Sequence, residues 1–347
     1  MKYWRIIVYV ILALFLLSIS VSVFAEEKVE FPTSGKQIRL IITHGVGGSV
    51  DTAARGIAPF LEKYLGVSVV TENMVGASGR RAMEYVFNAK PDGYTIVVSA
   101  FPSRLIGELL YEPNYKMKDF VHLGSWLGGD FRSVIVGKNS EYQSFQELME
   151  AGKTKTLKAA GGGGLGSTSQ LQTVFLKEKV GMNVDFIPFD STAEVANMVI
   201  GKHVDFGVMP LSSSLRFRAQ GDVNIVAIHA SERSKAAPNV PTLKELGYEG
   251  VVIPYGVGAW APPGTAKEIQ DIYANAITKA VEDPDFLAWA EKTKVLLDPM
   301  GPEEFLQTTL NDYENILSVL DLLKTCLLYT SDAADELDGV DLGGRRI

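Results

Sequence analysis

Residues 37–66, QIRLIITHGVGGSVDTAARGIAPFLEKYLG, contain a complete strand–loop–helix unit. An apolar run typical of a buried strand leads into the glycine-rich loop HGVGGS, and the remainder has the apolar period of a helix. Gly66 ends the segment, and glycine is the residue favoured just beyond the C-terminus of a helix. The same order returns in VSVVTE, NMVGASG and RRAMEYVFNAK, and PDGYTIVVSA adds a turn and a third strand. This alternation predicts an α/β fold whose parallel strands are joined by right-handed crossovers.

The strand–helix pattern starts again near Gly128, which indicates a second α/β lobe. RSVIVG, LKAA, VDFIPF, HVDFGVM and VNIVAIHA read as its strands, with helical segments between most of them. Two segments, near residues 121–126 and 251–261, would cross between the lobes. We therefore expect residues 26–127 and 253–324 to form the first lobe and residues 128–252 the second. In such folds the ligand binds in the cleft between the lobes.

Both ends of the chain are expected to lie outside the folded body. Residues 1–25 have the basic start, apolar run and small residues before Glu26 of a secretory signal peptide, and the alternative is a membrane anchor. Residues 325–347 resemble the translation of a sequencing adapter, or else form an acidic disordered tail. Cys326, the single cysteine of the chain, stands in this tail. The secreted body is therefore expected to have no disulfide and no cysteine nucleophile.

Composition and charge argue against several classes of function. The net charge is −8 and no basic patch stands out, which argues against nucleic acid as a partner. His44, His122, His203 and His229 lack the spacing of metal ligands, and Ser167 lacks a G-x-S-x-G elbow. We therefore expect no metal, no cofactor and no catalytic residues.

The stretch KAAGGGGLGSTSQ satisfies the G-x-G-x-x-G pattern with Gly161, Gly163 and Gly166. A dinucleotide site would also need an acidic residue after the next strand, where Asp185 or Asp190 could serve. Free nicotinamide cofactor is not expected outside the cytoplasm, however, and this pattern usually opens its domain. The loop could instead be purely structural, or it could contact a ligand at the start of the following helix.

Several blocks resemble the periplasmic solute receptors of tripartite tricarboxylate transporters, also called Bug proteins. IRLIITHGVGGSVDTAAR is similar to the family's opening P-F-x-x-G-G-x-x-D-x-x-A-R block. VVTENMVGASGRRAMEYVFNAKPDGYTIVV is similar to its V-V-x-E-N-x-x-G-A-x-G…P-D-G-Y-T pattern. GLGSTSQLQTVFL, PNVPTLKELGY and APPGTAKEI follow in the family's order, so the resemblance covers residues 38–305. P-D-G-Y-T and G-A-x-G at this interval are together quite specific.

The resemblance implies a two-lobed periplasmic binding protein of the type II-like Venus flytrap kind, each lobe a mainly parallel sheet flanked by helices. The lobes would close on a small organic carboxylate without catalysis. Carboxylate oxygens only accept hydrogen bonds, and glycine-rich turns at helix starts supply N–H donors, so no arginine is needed. The expected ligand-binding residues are His44, Val46, Gly47, Gly48, Ser49, Gly76, Ala77, Ser78, Gly79, Ala100, Gly166, Ser167, Thr168, Ser169, Asp190, Met209 and Pro210.

The chain departs from the family at positions that border the expected cleft. Thr43-His44 replaces a frequent Pro-Phe, Gln170 stands where the family has a histidine, and Met209 stands where an acidic residue is common. His44 could therefore contact the ligand or be structural. Asp51 begins the first helix, where it is expected to favour the helix N-terminus rather than to bind the ligand.

The sequence thus predicts a periplasmic solute receptor, acting as a monomer, that delivers a small carboxylate to a permease of one small and one large membrane subunit. Three alternatives remain open. The chain could be a secreted α/β enzyme, a dinucleotide-binding protein using residues 161–166, or a solute receptor that feeds a sensor kinase.

Overall fold

A computed structural model describes residues 30–249, 252–321 and 324. By its internal contacts the chain divides into Met1–Phe31 and Pro32–Ile347, and all elements named below belong to the second unit. The expected signal peptide, residues 1–25, and the expected tail, residues 325–347, lie outside the described residues. Within the described ranges, no helix has the length and apolar character needed to cross a membrane.

Strands and helices alternate along most of the main unit, as the sequence predicts. The strands are β1 (Ile38–Ile42), β2 (Val69–Asn73), β3 (Thr95–Ala100), β4 (Val121–Asp130), β5 (Arg132–Gly137), β6 (Leu157–Gly162), β7 (Val184–Phe189), β8 (Phe206–Pro210), β9 (Val223–His229), β10 (Tyr255–Ala261) and β11 (Leu297–Met300). The α-helices are α1 (Ser49–Leu65), α2 (Arg80–Phe87), α3 (Phe101–Tyr111), α4 (Phe145–Thr154), α5 (Thr168–Glu178), α6 (Thr192–Ile200), α7 (Leu211–Gln220), α8 (Lys267–Glu282), α9 (Pro284–Thr293) and α10 (Pro302–Leu317). Gly66 ends α1 in the left-handed conformation, with a φ of 72°.

The strands form two sheets, one in each lobe. The first has the order β11-β4-β10-β3-β1-β2 and the second the order β7-β6-β8-β5-β9. β1 runs parallel to β2 and β3, and β6 runs parallel to β7 and β8. The remaining pairs, including β10 with β4 and β5 with β9, are antiparallel. The two-lobed α/β architecture is confirmed, but each sheet is mixed rather than mainly parallel.

The crossings between the lobes explain why β4 pairs antiparallel with β10 and why β5 pairs antiparallel with β9. β4 is the last strand of the first sheet before the chain crosses to the second lobe. Phe131 alone separates it from β5, which lies in the second sheet. β9 lies in the second sheet, and the next strand, β10, lies beside β4 in the first. A strand that leaves a lobe and a strand that returns to it run in opposite directions, so their pairing is antiparallel.

Helix α5 lies between the two lobes and packs against both. Leu171 and Val174 belong to the apolar core of the first lobe, which also contains Trp260. Phe175 and Leu176 belong to the core of the second. The C-terminal helices return to the first lobe, where α8 packs on α1 and β4 and α10 packs on α3. This arrangement places the N-terminus of α5 at the boundary between the lobes.

Candidate functional site

The loop between β1 and α1 is shaped by Asp51. Its Oδ2 accepts the Gly47 N–H at 2.9 Å, and its Oδ1 accepts Arg55 Nε at 2.9 Å and Asn73 Nδ2 at 2.8 Å. Asn73 Nδ2 also donates to the His44 carbonyl at 2.9 Å. Asp51 is only 3% exposed. Its carboxylate is therefore engaged in holding the loop and the start of α1.

His44 begins this loop with a buried ring. Its Nδ1 lies 2.7 Å from Thr43 Oγ1, which lies 2.7 Å from Ser99 Oγ. Burial lowers the pKa of His44 well below 6.5, and the positive charges of Arg104 and Arg132 lower it further. The imidazole is therefore neutral at pH 7 and adds no charge to the site.

The loop after β2 has an unusual backbone. Gly76, Ala77, Ser78 and Gly79 all have positive φ, of 124°, 47°, 54° and 83°. This conformation is strained for alanine and serine, by roughly 1–2 kcal/mol each, and such strain concentrates at functional sites. A Cβ on Gly79 would lie 2.1 Å from Nη1 of Arg104, and this Nη1 donates to the Ser78 carbonyl. The loop thus wraps around a buried guanidinium.

The glycine-rich loop after β6 uses its N–H groups within the protein. Gly163 N–H and Gly164 N–H both donate to the Phe189 carbonyl, at 2.9 and 3.1 Å. Gly166 N–H donates to Gln170 Oε1 at 2.6 Å. A bound pyrophosphate would need such donors, so this loop is a poor dinucleotide site. The ligand contact expected from the Gly166 N–H is likewise already satisfied by Gln170.

The hydroxyl groups at the start of α5 have three different environments. Ser167 Oγ caps the helix by accepting the Gln170 N–H at 3.2 Å. Thr168 Oγ1 accepts Arg132 Nε at 2.7 Å. Ser169 Oγ is buried and has no hydrogen-bond partner among the described residues. Of the three predicted hydroxyls, that of Ser169 therefore has its hydrogen-bonding capacity unused.

Loops from the two lobes meet at the boundary between them. Gly45 N–H, in the first lobe, donates to the Asp190 carbonyl, in the second, at 3.2 Å. A Cβ on Gly164 would lie only 2.5 Å from Ser78 Oγ of the first lobe. A Cβ on Gly163 would lie 3.4 Å from His44 Nε2, so the structure brings together the loops after β1, β2, β6 and β7.

Two buried arginines lie at this boundary, and sequence reasoning missed both. Arg104, in α3, is 2% exposed and Arg132, at the start of β5, is 5% exposed. Each is close enough to His44 and to Tyr255 to shift both of their pKa values. Burial lowers the pKa of each arginine to about 10, so both stay charged at pH 7. We call these two residues the arginine pair.

The arginine pair has no carboxylate partner. Neither residue takes part in an ion pair within 4.0 Å in the described part of the chain. Arg104 Nε is buried without any hydrogen-bond partner there. Arg132 donates to Thr168 Oγ1 through Nε and Nη2, and its guanidinium lies 4.3 Å from the centre of the Tyr255 ring. A buried charge without a counterion is costly, so this site favours an anion.

Asp130 reduces the positive charge of the site without cancelling it. Its Oδ2 accepts Ser212 Oγ at 2.6 Å, and burial raises its pKa to about 6. Its charge acts on Arg132, so the charge of Arg104 remains and the site stays positive. The pair could have been found from the sequence, because Arg104 stands in the apolar run FPSRLIGELL and Arg132 opens the apolar strand RSVIVG. Charged residues within buried apolar segments need a partner or a ligand.

Other predicted site residues have different surroundings. Val46 is 69% exposed, and Ala77 and Asp190 are also exposed. Met209 is fully buried in an apolar cluster of the second lobe. Its side chain packs in this core, so the ligand contact expected of Met209 stays a prediction that its position does not support. Pro210 is buried at the junction of β8 and α7.

The first-lobe side of the site is completed by the starts of α1 and α3. Gly48 precedes α1, and Ser49 Oγ lies 2.7 Å from the Tyr255 hydroxyl. Ala100 precedes α3 and pairs with Val257 of β10. Across the described ranges, no group of three or more histidine, cysteine, aspartate or glutamate residues is placed to hold a metal ion. The site offers buried positive charge and hydroxyl groups, which suit binding of an anion.

Comparison with protein families gives one match over most of the chain. The family model described as "Tripartite tricarboxylate transporter family receptor" matches residues 53–318. The chain is 28% identical over 296 residues to a UPF0065 protein, in the gbd 5' region, of Cupriavidus necator. That alignment covers 83% of this chain and 89% of the relative.

Solved structures share the fold. The periplasmic binding protein BugD is 26% identical with a TM-score of 0.76, over 84% of this chain and 98% of BugD. MatC from Rhodopseudomonas palustris, solved with bound malate, is 24% identical with a TM-score of 0.74. This second superposition covers 84% of the chain and 100% of MatC.

Proposed function

The chain belongs to the family of tripartite tricarboxylate transporter receptors, and on this basis we propose that it captures a small organic carboxylate between its lobes and delivers it to a membrane permease. The receptor is periplasmic. It would act as a monomer, after removal of residues 1–25, and its permease would have one small and one large subunit. Its role is binding, without a catalytic step.

The arginine pair is the observation that carries this proposal. Two buried guanidinium groups act on the same histidine and the same tyrosine, and neither forms an ion pair in the described part of the chain. Hydrogen bonds from guanidinium to carboxylate are among the strongest in proteins and can be bidentate. A ligand with two carboxylates can offer one such group to each guanidinium, whereas a monocarboxylate has only one to offer. We therefore propose a dicarboxylate as the preferred ligand.

The arrangement of the lobes supports capture by closure. We place the first lobe at residues 26–127 and 253–324 and the second at residues 128–252. The chain crosses between them from β4 to β5 and from β9 to β10. Binding proteins of this architecture close by a hinge motion about such crossings. The loops after β1, β2 and β6 then enclose the arginine pair.

Three other functions are less well supported. An enzyme would need a nucleophile with a base, or a metal. The described residues contain no metal-holding group, and the buried Thr43 hydroxyl beside His44 Nδ1 is also hydrogen-bonded to Ser99. A dinucleotide would compete with the internal hydrogen bonds of the glycine-rich loop. A receptor for a sensor kinase would bind the same ligand, and the family match favours the transport role.

Isothermal calorimetry with a panel of mono-, di- and tricarboxylates, including malate and its matched monocarboxylates, tests the proposal. We expect a dicarboxylate to bind most tightly. Arg104→Gln and Arg132→Gln should each weaken its binding by roughly 1.5–3 kcal/mol, because a charged hydrogen-bond donor is lost. Arg218→Gln, on the exposed side of α7, is the matched control and should bind as the wild type does.

Two results would contradict the proposal. One is the failure of every carboxylate in the panel to bind the folded wild-type protein. The other is an unchanged affinity in both arginine variants, which would move the ligand away from the arginine pair. NAD is included in the panel, and tight NAD binding would revive the dinucleotide alternative.

A further inference from the structure

Arg216, in α7 of the second lobe, reaches across to the first lobe. Its Nη1 donates to Thr52 Oγ1 at 3.0 Å and its Nη2 donates to the Gly47 carbonyl at 3.2 Å. No carboxylate lies within 4.0 Å of it in the described part of the chain. The guanidinium is partly buried, so these two acceptors of the other lobe are its main compensation.

The acceptors of Arg216 belong to a preformed loop. The N–H of Gly47 is held by Asp51, while its carbonyl faces Arg216. Gly47 has a φ of 75°, which glycine adopts without strain. In this conformation its N–H points to Asp51 and its carbonyl to Arg216. Thr52 is in the first turns of α1, directly after the same loop. Arg216 therefore binds a rigid part of the first lobe, so the contact fixes the position of one lobe relative to the other.

A second set of contacts, between the β1–α1 loop and the loop after β7, reinforces the first. Gly45 N–H donates to the Asp190 carbonyl at 3.2 Å, and an ideal Cβ on Gly48 would lie 3.2 Å from Ser191 Cβ. These contacts join residues of one lobe directly to residues of the other. They therefore stabilise closure without requiring the ligand as a bridge.

We propose that Arg216 is a positioning residue that latches the two lobes together, so that the closed conformation is populated before ligand binds and ligand release is slowed. This rests on the proposed receptor function, in which the lobes open and close. The latch contacts are made by Arg216 with Gly47 and Thr52, and neither residue of the arginine pair takes part in them. The latch should therefore change the balance between open and closed lobes without changing which carboxylate is preferred.

Double electron–electron resonance on the ligand-free protein tests the latch. Nitroxide labels would be placed at the exposed positions Lys90 and Lys179, one in each lobe, with Cys326→Ser to remove the native thiol. We expect the wild type to show a closed and an open population. Arg216→Gln should shift their ratio toward open by about tenfold, the effect expected when a charged donor loses two acceptors. Arg233→Gln, whose guanidinium pairs with Glu245 of the same lobe at 2.9 Å, should leave the ratio unchanged.

A second variant separates a latch from a purely structural role. Thr52→Val removes one acceptor from the opposite lobe and should shift the same ratio in the same direction by a smaller factor. A structural role would instead lower the urea midpoint of Arg216→Gln while leaving the distance distribution as in the wild type. A lowered urea midpoint with an unchanged distance distribution would contradict the proposed latch. A wild-type protein with no closed population would contradict it as well. Neither outcome bears on whether the arginine pair binds carboxylates, which the calorimetric panel measures independently.

Discussion

His44 shows how single residues define the charge of this site. Its ring is packed beside two cations, so protonation would place a third positive charge in one buried volume. The neutral ring can accept or donate a hydrogen bond through Nε2 while Nδ1 is occupied by Thr43. Site charge therefore comes from the arginine pair, and we expect ligand affinity to vary little between pH 8 and pH 7.

The depressed pKa of His44 predicts loss of stability in acid. The unfolded chain takes up a proton near pH 6.5, whereas the folded protein resists it, so stability is full above this pH and falls as pH decreases. His44→Gln has no proton to bind, so its stability should fall less steeply below pH 6.5, by up to about 1.4 kcal/mol per pH unit. Urea unfolding from pH 8 to pH 5 measures both slopes.

Other groups contribute to the acid response of both proteins. Burial lowers the pKa of His122 and of His229 to about 4, so these residues also make stability fall as the pH decreases. Both residues remain in the variant. The difference between the two stability curves therefore isolates His44. Parallel curves for the wild type and His44→Gln would show that its ring titrates normally.

The residue scale was partly predictable from the sequence. The glycines of the loops after β1, β2 and β6 were identified because turns at helix starts need their conformations, and Gly76, Gly79 and Gly166 do have positive φ. The arginine pair was missed because main-chain donors alone seemed sufficient for a carboxylate. Which polar groups remain free depends on partners distant in sequence, such as Gln170 for Gly166. Local patterns do not contain this information.

At the scale of elements, α10 carries a buried acid on its apolar face. Asp312 is 6% exposed, and its Oδ2 has no hydrogen-bond partner among the described residues. It shares the buried face of the helix with Phe305, Thr309 and Ile316. Burial raises the pKa of Asp312 to about 7. The helix therefore packs best when this carboxyl is protonated.

Asp312→Asn should stabilise the protein in a pH-dependent way. The raised pKa means that stability is full below the unfolded value of 3.8 and is lost as pH rises through about 7. The amide cannot ionise, so the variant should be more stable than the wild type by roughly 1–3 kcal/mol at pH 8. At pH 4 the gain should nearly vanish. Urea unfolding at both pH values measures it, and an equal gain at each would show that ionisation is not the cause.

The sequence predicts strands and helices well where they follow from a local residue pattern. It predicts them less well where their direction or burial depends on both lobes. The strands and helices at the start of the first lobe, β1 to β3 with α1 and α2, follow from apolar period and glycine position. The direction of β10 does not, because it depends on which lobe the chain returns to. The sequence predicts helix α5 after the glycine-rich loop, but its burial against both cores depends on how the two lobes are arranged.

At the scale of the whole molecule, closure requires glycines where the lobes touch. Gly164, in the second lobe, has a φ of 74°, and a Cβ there would lie 2.5 Å from Ser78 Oγ and 3.0 Å from Ser78 Cβ of the first lobe. Gly181, also in the second lobe, has a φ of 78° and nothing within 4 Å of an added Cβ. The two glycines therefore have the same backbone conformation but differ in contact with the other lobe.

This pair predicts how a single methyl group would affect binding. Gly164→Ala and Gly181→Ala should each lower stability by about 1–2 kcal/mol, because alanine is strained at this φ. Gly164→Ala should in addition keep the lobes from closing and weaken carboxylate binding by roughly tenfold or more, whereas Gly181→Ala should bind as the wild type does. Small-angle X-ray scattering with the tightest ligand of the panel, together with calorimetry, measures both effects. If the two variants closed and bound alike, the contact between Gly164 and Ser78 would have no part in closure.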